Sequence, residues 1–188
     1  MLKYIEENGK YVQITGFGGV EIKNTDEFLK IIHKEKQLNV EIQFFDAQFV
    51  ATWQHLYFAV LGAVIAFKNR ENIAKNLEME TMLYASAQHQ IQKAIGFMGI
   101  KDDSSNIAVV VIGERLEDLK AALSIISRLL HAQPDETVLE LSKGKMKTIQ
   151  KAFEISDREL KTVMKKNNSK QALTDLVIER TALLSTNR

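Results

Sequence analysis

From Ala47 to Phe67 the chain carries no charged side chain, and from Leu56 to Phe67 it is apolar without a break. Such a stretch either crosses a bilayer or is buried inside a protein. A bilayer needs roughly 20 consecutive apolar residues, and Gln48, Thr52, Gln54 and His55 interrupt the first half of this one. The pattern therefore predicts a central helix buried on most sides. Asp46 suits its N-cap, and Lys68, Asn69 and Arg70 close it with the positive charge that a helix C-terminus favours.

Strands and helices interleave around this helix. Tyr11–Phe17 alternates apolar and polar residues before Gly16, Gly18 and Gly19, with Val20 and Ile22 beyond, which predicts a strand, a tight turn and a second short strand. Asn24 and Glu27 stand at capping-box spacing ahead of a helix. Val40–Phe45 and Ile107–Ile112 read as strands, the second buried on both faces. A helical stretch from Ile73 to Tyr84 is followed by Ser86 as a cap for a helix carrying Ile91, Ala94, Ile95 and Met98, which Gly99 ends. Leu116–Leu130 has helical spacing, and Thr137–Leu141 reads as a last short strand. Ser156 and Glu159 form a capping box, and a final helix begins near Lys170. The expected fold is α/β (α+β), with one mixed sheet of about four to five strands covered by several helices. One domain spans 1–188, with a helical C-terminal segment from about 143 packed on it.

The chain has 188 residues and no cysteine, which removes disulfides and thiolate chemistry. The first residues show neither an apolar core nor a cleavage pattern, so neither signal peptide nor anchor is expected, and a cytoplasmic location fits. The glycine cluster lacks dinucleotide and P-loop spacing and reads as a hairpin turn. His33, His55, His89 and His131 show no metal-ligand spacing, so no metal and no cofactor is expected, and His55 reads as a satisfied core or interface histidine. Glu78, Glu80, Asp102 and Asp103 form no pair that demands acid–base work, and nothing calls for an enzyme. Net charge is only +1, yet Lys143–Lys170 holds nine Lys or Arg against three acids. Such a stretch faces either solvent or a phosphate backbone.

The segment Gln43–Ile100 carries a further signal. Its pieces are Asp46-Ala47, His55-Leu56, Ala59, Lys68-Asn69-Arg70-Glu71-Asn72-Ile73-Ala74, Glu80 before Leu83-Tyr84, Gln90-Ile91, Ala94-Ile95 and Gly99-Ile100. With the tail Leu176–Leu184 they resemble, in order and spacing, the small subunits of the KEOPS tRNA-modification complex. Ala87 stands where the family pattern has a glycine. The resemblance implies a non-catalytic accessory subunit, of archaeal source, that binds the KEOPS kinase-like subunit. It also implies capture of tRNA by its 3′ CCA end in support of threonylcarbamoyladenosine formation, with ATP and the active site on other subunits.

Single-stranded tails are held by cations at phosphates and by flat or apolar side chains at bases. On the matched segment Lys68, Arg70, Lys75, Tyr84, Gln90 and Lys93 are the candidates for tRNA binding. For the kinase-like partner, an apolar helix face with anchors Leu173, Leu176, Val177 and Leu184 is the candidate, although the same residues could simply pack on the sheet. A purely protein-binding module without RNA contact, and a small-molecule enzyme with an unrecognised site, are the alternatives.

Overall fold

The computed structural model describes residues 1–34 and 39–186. β4 (Asn106–Gly113) is the centre of a four-stranded sheet of order β1-β2-β4-β3, completed by β1 (Leu2–Ile5), β2 (Lys10–Gly18) and β3 (Val40–Asp46). All three pairings are antiparallel, so the sheet is not mixed. β1 was not foreseen. It forms a hairpin with β2 through a turn that ends at Gly9, whose φ of +66° is the left-handed conformation glycine tolerates best.

β4 is buried along almost its whole length because both faces of the sheet are covered. Ile107, Val109 and Val111 point to a layer made by α1 (Thr25–Lys34) and α5 (Leu116–Leu130), with Phe28, Ile32, Leu119 and Ile126 in the contact. Ala108, Val110 and Ile112 point the other way, into the main core. That core is built by α2 (Trp53–Asn69), α3 (Leu77–Ser86), α4 (Ile91–Met98), α6 (Lys143–Ala152) and α8 (Ser169–Leu183). The period-two alternation of β4 thus sorts its side chains between two helical layers.

The apolar run splits in two. Asp46 caps a single 3-10 turn, Ala47–Phe49, by accepting from the Gln48 N–H, and α2 begins only at Trp53. His55 lies wholly buried in the first turn of α2, where its Nδ1 accepts from the Ala51 N–H at 3.3 Å. Its Nε2 then carries the proton and donates to the Ala85 carbonyl of α3 at 2.8 Å. Burial pushes its pKa down to about 4, so the ring is a neutral link between two helices.

Three local expectations change. The segment read as a strand at Thr137–Leu141 is a 3-10 turn, Glu136–Leu139, capped by Asp135. β2 is already paired on both sides, and the turn instead lies across its face. Gly16 makes this possible, since a Cβ there would stand 2.6 Å from that of Val138. Val20 and Ile22 are buried but belong to no strand. Ser86 does not cap α4. It ends α3, with its hydroxyl donating back to the Met82 and Leu83 carbonyls. The Ser156–Glu159 capping box is present at the start of α7 (Asp157–Val163). Glu159 also accepts from Arg180 of α8 at 2.5 Å. The Ser156 N–H, Arg180 and the Ser156 hydroxyl together hold its pKa near 2.

Candidate functional site

The C-terminal end of α2 builds a cationic groove. Arg70 ends the helix in the left-handed conformation, at φ 61°, and turns the chain into the 71–76 connection. That connection is held by Glu80, whose fully buried carboxylate accepts from the Ile73 N–H at 2.9 Å and the Ala74 N–H at 2.7 Å. Fixing these two amides places Lys75 beside Lys68. Both lysines, with Lys10 from the start of β2, line a groove of about 500 Å3 that Val64, Phe67 and Leu77 also line. Glu7 and Glu41 also line it.

Lys68, Arg70, Lys75, Gln90 and Lys93 are exposed, as contact with a nucleic acid requires. Lys93 sits on α4, and Gln90 is the N-cap of that helix, without a side-chain cap bond. Tyr84 is different. It is 2% exposed, and its ring fills the space that glycine leaves on α2, where a Cβ at Gly62 would come within 2.5 Å of it. Tyr84 therefore packs α3 on α2 and offers no ring face to a base. Lys10 was missed because it lies at the start of β2, far in sequence from the matched segment.

The partner-binding anchors also move inward. Leu173, Leu176, Val177 and Leu184 are each at most 3% exposed and lie in the main core, where α8 packs along α2. They hold α8 to the protein and present nothing outward. The apolar surface that does face water is on α2, where Phe58 is 45% and Ile65 56% exposed, with half-buried Leu61 between them. These positions lie three and four residues apart and form one row along the helix. Leu183 of α8 is 40% exposed. The uninterrupted apolar sequence hid this row, because no charge marked which side meets water.

Within the basic C-terminal stretch, Lys145 stands apart from its exposed neighbours. Its amine donates to the Val138 carbonyl at 2.9 Å and the Glu140 carbonyl at 3.5 Å. Burial lowers its pKa to about 8 against the opposing pull of Asp46. It joins α6 to the 3-10 turn on β2, at the wall of a polar cleft of about 870 Å3 at the end of the sheet. Asp46 lies in the same wall, accepting from Ser104 Oγ at 2.8 Å and from Gln48. Among the described residues no group of three or more His, Asp or Glu could hold a metal ion, and no helix is long and apolar enough to cross a membrane.

A family model described as kinase binding protein CGI-121 matches residues 20–185. The regulatory protein Cgi121 of Methanocaldococcus jannaschii is 34% identical over 118 residues, which are 63% of this chain and 73% of that protein. The match takes in every helix of both layers and two of the four strands, β3 and β4. The chain belongs to the CGI-121 family of kinase binding proteins.

Proposed function

We propose that this chain is the non-catalytic small subunit of a KEOPS complex. It docks on the kinase-like subunit through α2 and captures tRNA by its 3′ CCA end. The observation that carries the reading is the row Phe58, Leu61 and Ile65 on a helix without charged residues between Trp53 and Phe67. Exposed apolar side chains in a row, with no charge among them, mark a surface that another protein covers. An amphipathic helix face of this kind is a common docking element, with anchors at helical spacing. Membership of a family named for kinase binding supplies the class of partner.

The tRNA part rests on the lysine groove. Lys10, Lys68 and Lys75, in a groove also lined by Val64, Phe67 and Leu77, combine phosphate neutralisation with apolar surface for unstacked bases. Arg70, Gln90 and Lys93 extend the exposed polar surface on the same segment of chain. Titration of one tRNA, intact and without its CCA end, at two salt concentrations tests this part directly. The expected result is salt-sensitive binding that needs the tail and is lost on charge reversal of Lys68 and Lys75. Equal binding of both tRNAs would instead assign the contact to the exposed C-terminal lysines. No binding of either would leave a protein-binding module alone.

A further inference from the structure

The polar cleft at the end of the sheet has one cation among its described lining residues, Lys145, beside the carboxylates of Asp46, Asp103, Asp135 and Glu140. Its volume of about 870 Å3 lies in the range that takes a small ligand, roughly 300–1,000 Å3. Lys145 is half-buried and reaches the cleft from the first turn of α6. Its amine is fixed by the Val138 carbonyl at 2.9 Å and the Glu140 carbonyl at 3.5 Å. A carbonyl only accepts, so both bonds use N–H groups of the lysine. A neutral amine has two such N–H groups and one lone pair. With both N–H groups held on the backbone around the 3-10 turn, the lone pair is left to face the cleft.

We infer that Lys145 is an acylation site, whose amine attacks the carbonyl carbon of an uncharged acyl thioester that enters this cleft. In the transfer the nitrogen lone pair forms the C–N bond and the C–S bond breaks. The thiol leaves with the proton that the nitrogen sheds. The supply of free amine follows from the site. Burial holds the pKa of Lys145 at about 8, against the pull of Asp46. At pH 7.5 about a quarter of such an amine is neutral, against about 0.1% for an ordinary lysine. The titratable groups around it are Asp46 at the end of β3, Asp135 and Glu140 flanking the 3-10 turn, Asp103 ahead of β4, and His55 of α2, which is neutral. The carboxylates repel anionic donors such as acyl phosphates, which is why the donor is uncharged. The transfer also has a structural consequence. The amide product keeps a single N–H, so one of the two carbonyls loses its donor and Asp46 loses its cation. Acylation therefore loosens the tie between α6 and the 3-10 turn.

Limited acetylation of the full chain by the neutral thioester S-acetyl-N-acetylcysteamine, read residue by residue by mass spectrometry, tests the inference. Lys143, Lys147 and Lys151 are exposed on the same helix and serve as internal references. At pH 7.5 Lys145 is expected to react at least about tenfold faster than these three. Its rate should level off above about pH 8, while theirs keep rising. The advantage should shrink when acetyl phosphate is the donor and disappear when the chain is unfolded in urea. If Lys145 reacts no faster than its three neighbours, the assignment is overturned. An advantage that persists in urea would place it in the local sequence and overturn the assignment as well. An equal advantage with acetyl phosphate would overturn the selection of an uncharged donor.

Discussion

Helices α2 and α8 lie against each other in the main core, yet they treat their apolar residues in opposite ways. α8 carries Asp175, Glu179 and Arg180 among its apolar residues, and Leu173, Leu176 and Val177 are all turned into the core. α2 carries no charge until Lys68 and looks the more deeply buried of the two, but it leaves Phe58 and Ile65 in water. On α8 the charges mark the solvated side, and the apolar residues go to packing except Leu183 at its last position. On α2 nothing marks a solvated side, which is how a helix looks when a partner covers it. The difference shows that an apolar anchor is identified by what its own protein fails to cover, and not by its spacing.

The sharpest way to break this contrast is to truncate one residue on each helix. Leu173→Ala on α8 should cost about 2–5 kcal/mol of unfolding free energy, read by denaturant titration. The exposed Ile65→Arg on α2 should stay within about 0.5 kcal/mol of wild type in the same titration. If the two variants lost similar stability, α2 would be an ordinary core helix and the contrast would fail.

The link between α2 and α3 depends on pH. His55 has a folded pKa near 4 against an ordinary value of 6.5, so below pH 6.5 the unfolded chain takes up a proton that the folded chain refuses. Stability from this group is complete above pH 6.5 and declines as pH falls through about 4, by roughly 3 kcal/mol in all. Proton uptake on unfolding, measured by calorimetry in buffers of different ionisation enthalpy, should show about one proton between these limits. Near pH 5.5, above the range where Glu159 contributes, the uptake should be largely lost in a His55→Gln variant.

A smaller effect sharpens the other end of α3. Ala87 closes that helix at φ 51°, the left-handed conformation in which a Cβ is strained. Glycine adopts that conformation without a Cβ penalty. Ala87→Gly should stabilise the chain by about 1 kcal/mol, a rise in thermal midpoint of a few degrees.

Much of the fold was legible. β4, α5 and the capping box at Ser156 follow from local patterns that nothing in the tertiary structure opposes. The 3-10 turn at Glu136–Leu139 was not legible, because its branched residues suit a strand and only the space above Gly16 decides otherwise. β1 was missed because Leu2–Ile5 is too short and too exposed to carry a clear alternation. The candidate site was readable in part. Lys68 lies in the last turn of α2, and Lys75 sits on a connection whose anchoring by Glu80 leaves only a buried acid in the sequence. Tyr84 was assigned outward because an aromatic ring suits base stacking, whereas Gly62, 22 residues earlier, had already made room for it in the core.

The central claim is that the exposed row on α2 is the docking face. Isothermal titration of the kinase-like subunit with the wild-type chain, Phe58→Ser and Ile65→Arg tests it most directly, with the folded state of each variant checked by its thermal midpoint. The account expects association with wild type and its loss, by at least about a hundredfold for Ile65→Arg, while the midpoints stay the same. Binding of Ile65→Arg and Phe58→Ser with wild-type affinity would contradict it.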